Sequence, residues 1–223
     1  MLTAKQNELV TRTGPETAAG ALLRRYWQPA ALVDELAVER PAVAVRLLGE
    51  NLVLYREEGG TYALVARRCP HRGADLAYGR LEDGGIRCPF HGWLFDGAGA
   101  CLEQPAEPAH SDFHTRIRHT AYPCVARNGI VFAYLGSGSP PPLPGLDCFV
   151  APESHSFAFK GLIEANWLQA LEVGIDPAHA SFLHRFFEDD DPGRRYGQQF
   201  RDRTDGAEIP VTRLLREHTR PDI

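Results

Sequence analysis

The chain has 223 residues, with 24 Lys or Arg against 29 Asp or Glu, so its formal net charge is −5 with neutral histidines. That balance argues against binding nucleic acid through the phosphate backbone. With 43% hydrophobic residues the chain can bury one or two cores, whereas no window reaches the roughly 18 consecutive apolar residues of a membrane helix. The N-terminus lacks a basic-then-apolar export signal, so we expect a cytoplasmic protein.

The first half of the chain predicts a helix followed by short strands. The helix is expected over residues 13–27, entered through Thr13 and ended by Pro29. Runs rich in branched and aromatic residues follow, separated by glycines, which is typical of antiparallel strands and hairpins. The predicted strands cover residues 43–48, 52–56, 61–66 and 129–135.

A stretch of glycine, serine and proline over residues 137–148 predicts a linker between two domains. We divide the chain into an N-terminal helical segment (1–26), a small β domain (27–136), this linker, and a second domain (149–223). The second domain predicts a strand at 157–163 and a helix at 166–187 interrupted at Pro177. About seventy residues are few for an independent core, so this domain looks incomplete. The predicted fold class is α+β.

Four residues form the first candidate site: Cys69 and His71, and, after sixteen intervening residues, Cys88 and His91. The total of five cysteines is odd, which argues for ligation or burial rather than a disulfide scaffold. A zinc site is chemically possible, but zinc motifs usually pair like ligands, whereas each turn here carries one Cys and one His. The alternative without a metal is that the cysteines are simply buried and the histidines are hydrogen-bonded.

Mixed pairing of this kind suits a Rieske [2Fe–2S] cluster, in which two thiolates hold one iron and two imidazoles hold the other. The segments CPHRGADLAYGR and CPFHGWLFD closely resemble the two ligand loops of the Rieske domain family. The resemblance implies that Cys69 and Cys88 bind the inner iron and that His71 and His91 bind the outer iron. It also implies a small antiparallel β domain.

The subtype is indicated by three further positions. Respiratory-chain Rieske proteins join their two loops by a disulfide, and Ala74 and Phe90 stand at the corresponding places here. Trp93 stands where ferredoxin and oxygenase members commonly carry an aromatic residue. An aromatic shield limits hydrogen bonds to the sulfurs, so we expect a potential toward the low end of the range of about −150 to +300 mV.

The second candidate site is the run from Asp176 through His179 to His184. Two neutral imidazoles and one carboxylate make the facial triad of non-haem Fe(II) oxygenases. The two histidines are five residues apart, so both can face one metal only if the helix is distorted, which Pro177 permits. Taken alone, the segment also fits an amphipathic core helix.

This run resembles the mononuclear-iron motif of Rieske aromatic-ring-hydroxylating oxygenases of the phthalate and phenoxybenzoate dioxygenase type. The resemblance implies that His179 and His184 bind the iron, and that Asp176 bridges them to the Rieske histidine of a neighbouring subunit. The large (alpha) subunits of that family continue into a helix and antiparallel sheet that supply the carboxylate ligand. We find no such third ligand in this sequence, so the chain resembles the Rieske domain plus the start of a catalytic domain.

We therefore expect the oxygenase component of a Rieske non-haem iron oxygenase, in which a [2Fe–2S] cluster passes electrons to a mononuclear Fe(II). The resemblance implies electrons from NADH through a separate reductase, O₂ and an aromatic compound as substrates, and a head-to-tail homotrimer. Three alternatives stay open: a Rieske ferredoxin-like electron carrier, a truncated oxygenase without a complete iron site, and a zinc-stabilised module. None involves nucleic acid or a membrane.

Overall fold

The computed structural model of the protein describes residues 2–36, 41–82 and 84–176, together with His179, Leu183 and Gly193. The chain divides into two compact units, Met1–Leu162 and Ile163–Ile223. The helices are α1 (Ala4–Thr11), α2 (Ala18–Leu23) and α3 (Asp147–Val150) in the first unit and α4 (Trp167–Ile175) in the second. None of the described helices is long and apolar enough to span a bilayer.

In the part of the chain that the structure describes, ten strands of the first unit form two antiparallel sheets. The strands are β1 (Trp27–Leu32), β2 (Ala42–Leu47), β3 (Glu50–Arg56), β4 (Tyr62–Ala66), β5 (Arg80–Glu82), β6 (Gly85–Arg87), β7 (Leu94–Asp96), β8 (Cys101–Glu103), β9 (Ala121–Arg127) and β10 (Ile130–Tyr134). The larger sheet has the order β1-β10-β9-β4-β3-β2, and the smaller has the order β5-β6-β7-β8. The α+β class and the antiparallel character predicted for residues 27–136 are confirmed.

Strands β3 and β4 separate two hydrophobic cores because successive side chains of a strand point to opposite faces. Val53, Tyr55 and Val65 pack into a core that also contains both candidate ligand cysteines. Leu54 and Leu64 face the other side, against β1 and β10. The central strands are therefore buried on both faces, and one of the two cores forms the floor of the candidate site.

The N-terminal helix differs from its prediction over residues 13–27. Helix α2 begins only after Thr17, whose hydroxyl accepts a hydrogen bond from the Gly20 N–H at 3.1 Å. It ends at Leu23, and Trp27 already belongs to β1, where it pairs with Tyr134. The periodic apolar residues were read correctly as helical, but the better cap at Thr17 and the pairing of β1 with β10 set the ends.

The strand predicted at residues 157–163 is wrong. No regular secondary structure is assigned to these residues, and Phe157, Phe159, Leu162 and Ile163 are exposed. The hydrophobic pattern suits a strand, but a strand needs a partner for its backbone hydrogen bonds. Within the described part of the chain, no strand pairs with this segment.

Helix α4 of the second unit ends just before the second candidate site, which begins at Asp176. The Asn166 side chain caps it by accepting hydrogen bonds from the N–H groups of Leu168 and Gln169. The helix ends at Ile175, and Asp176 follows in an extended conformation, as expected just before Pro177. The first part of the helix predicted at 166–187 is therefore present, and Asp176 lies just outside it.

Candidate metal centre

The first candidate site is built on two loops at neighbouring strand ends. Loop 1 (residues 69–74) follows β4, and loop 2 (residues 88–93) joins β6 to β7. Both loops begin with a buried cysteine, Cys69 or Cys88, in the same hydrophobic core. The two sheets thus present the two Cys/His pairs side by side.

The two loops share one backbone frame. In loop 1 the Cys69 N–H donates to the Ala74 carbonyl at 2.9 Å, and the Gly73 N–H donates to the Cys69 carbonyl at 2.8 Å. In loop 2 the corresponding distances, from Cys88 to Trp93 and from Gly92 to Cys88, are 2.8 and 3.1 Å. Gly73 and Gly92 occupy the same place in each loop with φ of 70° and 72°, a conformation that favours glycine.

Arg67 stabilises the end of loop 1 through an ion pair with Asp75, the residue that follows the loop. Its Nε donates to both carboxylate oxygens of Asp75 at 2.9 Å, and Nη2 donates to Oδ2 at 2.6 Å. Asp75 in turn accepts from the Ala77 N–H at 3.0 Å. The Arg67 hydrogen bonds lower the pKa of Asp75 and outweigh the opposing effect of burial. The far end of loop 1 is therefore held by a charged pair rather than by the ligand side chains.

Arg87 stabilises loop 2 in a similar way. Its guanidinium donates to the Gly92 carbonyl at 2.8 Å and pairs with Glu103 at 2.7 Å and with Glu82. These contacts tie the loop to β5 and β8. Neither arginine was singled out from sequence, although each stands one or two residues before a candidate cysteine, as RRCP and RCP.

The two candidate thiols lie next to each other. Cys69 and Cys88 are within hydrogen-bonding reach, and the backbone N–H groups of His71 and Arg72 point at the Cys69 sulfur. Burial raises the pKa of Cys69 to about 11, and the Cys88 thiol adds to the rise while the two N–H groups oppose it. Iron binding at this sulfur must therefore release a proton.

The two candidate imidazoles also lie together, with ring centroids 4.6 Å apart. His71 stacks on Trp93 at 4.6 Å and 5°, and its Nδ1 is buried without a hydrogen-bond partner. Burial, followed by the charges of His71 and Arg72, lowers the pKa of His91. The unpartnered buried ring nitrogen of His71 and the lowered pKa of His91, which favours its neutral form, both suit ligation of a metal ion.

These four side chains fit a [2Fe–2S] cluster by their chemistry and their pairing. Cys69 stands with Cys88 and His71 stands with His91, which matches two thiolates on one iron and two imidazoles on the other. Across the described residues, no three His, Cys, Asp or Glu side chains converge on a point suited to a single metal ion.

The remaining cysteines differ in environment. The sequence predicts all three to be small buried residues, which holds for Cys101. Cys124 is half-buried, and burial raises its pKa to about 12. Cys148 is exposed, contrary to the prediction, because it lies in the short helix α3, where no described residue is buried.

The second candidate site is described only in part. His179 is helical, and its Nδ1 lies 2.7 Å from the backbone carbonyl of Asp176 and 3.6 Å from its carboxylate. A histidine held through Nδ1 in this way would bind a metal through Nε2. His184 lies outside the described residues. The structure thus brings Asp176 and His179 together, and their roles in bridging and in iron binding stay predictions.

Replacing Asp75 with asparagine is expected to lower the free energy of unfolding at pH 7 by about 2 kcal/mol, since charge-assisted hydrogen bonds are lost. The pKa of Asp75 is lower in the folded chain than its ordinary value of about 3.9. Its contribution is therefore complete above that value and disappears as the pH falls through the lowered pKa. Urea titrations at neutral and acidic pH test this.

Asp112→Asn is the matched control, because this carboxylate also pairs with an arginine, Arg116, but is 72% exposed. We expect a loss below about 0.5 kcal/mol there. A wild-type advantage over Asp75→Asn that persists undiminished below pH 3 would contradict the role given to the Arg67–Asp75 pair.

The comparisons with known proteins agree with this geometry. Residues 26–123 match the family model of the Rieske [2Fe-2S] domain. The chain is 42% identical over 189 residues to the 5,5'-dehydrodivanillate O-demethylase oxygenase subunit of Sphingobium sp. (strain NBRC 103272 / SYK-6), covering 82% of this chain and 44% of that protein. It is 39% identical over 192 residues to the phthalate 4,5-dioxygenase oxygenase subunit of Pseudomonas putida, covering 82% and 42% respectively.

A solved structure, the reduced complex between oxygenase and ferredoxin in carbazole 1,9a-dioxygenase, superposes with a TM-score of 0.61 and 30% identity over 71% of this chain and 41% of that chain. Residues 26–123 are therefore a Rieske [2Fe–2S] domain. The chain therefore contains a Rieske [2Fe–2S] domain and is similar, over 82% of its length, to oxygenase subunits such as that of phthalate 4,5-dioxygenase. It spans less than half the length of these curated relatives.

Proposed function

We propose that this chain is the electron-accepting and iron-binding part of a Rieske non-haem iron oxygenase that hydroxylates or oxidatively demethylates an aromatic compound. The observation that carries the proposal is the extent of the similarity to oxygenase subunits. An alignment over 82% of the chain runs well beyond residues 26–123 and necessarily includes Asp176 and His179. A plain Rieske electron carrier would not need this second segment.

Cys69 and Cys88 would hold one iron of the cluster and His71 and His91 the other, while His179 and His184 would hold the mononuclear iron. When bound, the cluster supplies one-electron transfer and the mononuclear iron activates O₂. We assign no third, carboxylate ligand of that iron within this chain. We propose that residues 27–136 form the cluster domain, residues 137–148 the linker and residues 149–223 the start of the catalytic domain.

Asp176 is proposed to join the two metal centres of neighbouring subunits. Its backbone carbonyl lies against Nδ1 of His179, and its carboxylate is 3.6 Å from the same nitrogen. In this proposal the carbonyl orients His179 and the carboxylate accepts a hydrogen bond from a second imidazole, that of the neighbouring subunit. Such a bridge between subunits requires a closed head-to-tail ring, which we propose to be a homotrimer, testable by sedimentation equilibrium.

The electrons are proposed to come from NADH through a separate reductase. The carbazole enzyme of known structure forms a complex with a ferredoxin, so a ferredoxin is an alternative donor. O₂ and an aromatic small molecule are the proposed substrates. We propose a role in the breakdown of aromatic compounds in the cytoplasm.

The deciding experiment is the iron and acid-labile sulfide content of anaerobically purified protein, with its electron paramagnetic resonance (EPR) spectrum. About three irons and two sulfides per chain, with a Rieske signal, support the oxygenase. About two of each favour the carrier or an oxygenase with an incomplete iron site. A colourless protein that contains zinc excludes both, because zinc has no redox chemistry.

Asp176→Asn is expected to leave the iron content unchanged, since the backbone carbonyl that orients His179 remains. We expect the rate at which O₂ reoxidises the chemically reduced cluster to fall at least tenfold, a barrier increase of about 1.4 kcal/mol. Stopped-flow absorbance measures this rate. Glu164→Gln, an exposed carboxylate of the same unit, is the control. Unchanged reoxidation in Asp176→Asn would remove the bridging role.

A further inference from the structure

Gln104 is a buried polar side chain without a protein partner. The residue is 7% exposed, and both its Nε2 and its Oε1 are buried with no hydrogen bond. Leaving such a group unsatisfied is destabilising, because it loses its hydrogen bonds to water and gains none in return. Native proteins leave few buried amides unpaired, so a partner other than a protein atom is expected at this position.

The strand register places Gln104 beside loop 2. Leu94 of β7 pairs with Glu103 of β8, and continuing this register by one residue sets Gln104 opposite Trp93. Directly opposed residues of an antiparallel pair project from the same face of the sheet. Gln104 therefore shares its face with Trp93, the residue that stacks on His71.

The next residue confirms how close this segment lies to the ligand loop. Pro105 packs on Gly92, where an added Cβ would come within 3.2 Å of the proline Cγ. Trp93 belongs to the same hydrophobic core as Cys69 and Cys88. The segment that begins at Gln104 thus contacts loop 2, whose Trp93 lies in the same core as both thiols.

We propose that Gln104 donates a hydrogen bond from its carboxamide Nε2 to a sulfur atom of the [2Fe–2S] cluster and thereby raises the cluster's reduction potential. The inference rests on the ligand set proposed above. Cluster sulfurs are acceptors, and an amide N–H is a donor that suits them. Reduction adds negative charge to the cluster, so the hydrogen bond stabilises the reduced form more than the oxidised form.

The test is a redox titration of the full chain with Gln104 replaced by methionine, which keeps the length of the side chain and removes its amide. We expect the equilibrium constant for one-electron reduction to fall about tenfold, which corresponds to about 59 mV. Gln6→Met, the same change on exposed helix α1, should leave the potential unchanged. An unaltered potential in Gln104→Met would overturn the inference.

Iron, sulfide and the EPR spectrum are measured first on every protein. A wild type without a Rieske signal refutes the proposed cluster, whereas a normal signal with an unmoved potential refutes only the role of Gln104. Wild-type protein carrying ¹⁵N in its glutamine side chains supplies a second readout. Pulsed EPR of the reduced cluster should show coupling to this nitrogen, and its absence would overturn the inference even if Gln104→Met fails to assemble a cluster.

Discussion

Cys69→Ala is expected to abolish the cluster, with iron and acid-labile sulfide falling from about two each per chain to near zero, apart from any mononuclear iron. The Rieske EPR signal should vanish with them. The physical reason is that Cys69 supplies one of only two thiolates, and no described thiol other than Cys88 is adjacent to replace it. Two backbone N–H groups near this sulfur favour its thiolate form and partly oppose the rise in its pKa that burial causes.

Cys101→Ala is the matched control. Cys101 is buried in the same hydrophobic core as Cys69, so both changes remove one sulfur atom from one core. Similar losses of packing are expected, but only Cys69→Ala should lose iron. If the two variants lost iron equally, the effect would be one of stability, and Cys69 would no longer be assigned as a ligand.

Arg24→Met is expected to lower the free energy of unfolding by about 3 kcal/mol, because it strands a partly buried carboxylate. The Arg24 side chain is 11% exposed and pairs with Glu50, itself 20% exposed, at 2.5 Å. It also donates to the Leu48 carbonyl at 2.9 Å. The Tyr122 hydroxyl donates to both oxygens of Glu50, and burial, followed by this hydrogen bond to the carboxylate, raises the pKa of Tyr122 to about 12.

Two further variants separate this effect from a general loss of charge. Arg12→Met removes a guanidinium that is 71% exposed and paired with Glu8, and it should cost less than about 0.5 kcal/mol. Adding Glu50→Gln to Arg24→Met should recover part of the lost stability, since the stranded charge is gone. Urea unfolding followed by tryptophan fluorescence measures all three. Equal losses for Arg12→Met and Arg24→Met would contradict the prediction.

The elements that sequence predicted well are those with a strong local pattern. The continuous apolar runs of β3 and β4 reflect their position between two cores, and the two Cys/His turns are visible in the sequence, while their role as ligands stays a prediction. The ion pairs Arg67–Asp75 and Arg87–Glu103 were not predicted, because their partners come together only when the chain folds. Gln104 was missed because one polar residue between Glu103 and Pro105 gives no signal until its burial is known.

The errors have the opposite origin. The apolar run at 157–163 has the composition of a strand, but pairing depends on a neighbour, which periodicity does not reveal. The start of α2 moved to Thr17 because competing caps, Thr13 and Thr17, are only four residues apart. Asp176 left the helix because the residue before a proline favours an extended backbone.

The way the two loops are closed bears on how the protein matures. The hydrogen bonds that close loops 1 and 2 join main-chain groups. The hydrogen bonds from Arg67 and Arg87 that stabilise the loops use side chains outside the proposed ligand set. A zinc finger, by contrast, acquires its fold only when the metal arrives. Because neither set of contacts uses a ligand side chain, we expect the loops to keep their backbone shape without the cluster, so an assembly factor that delivers a finished cluster would meet a folded acceptor.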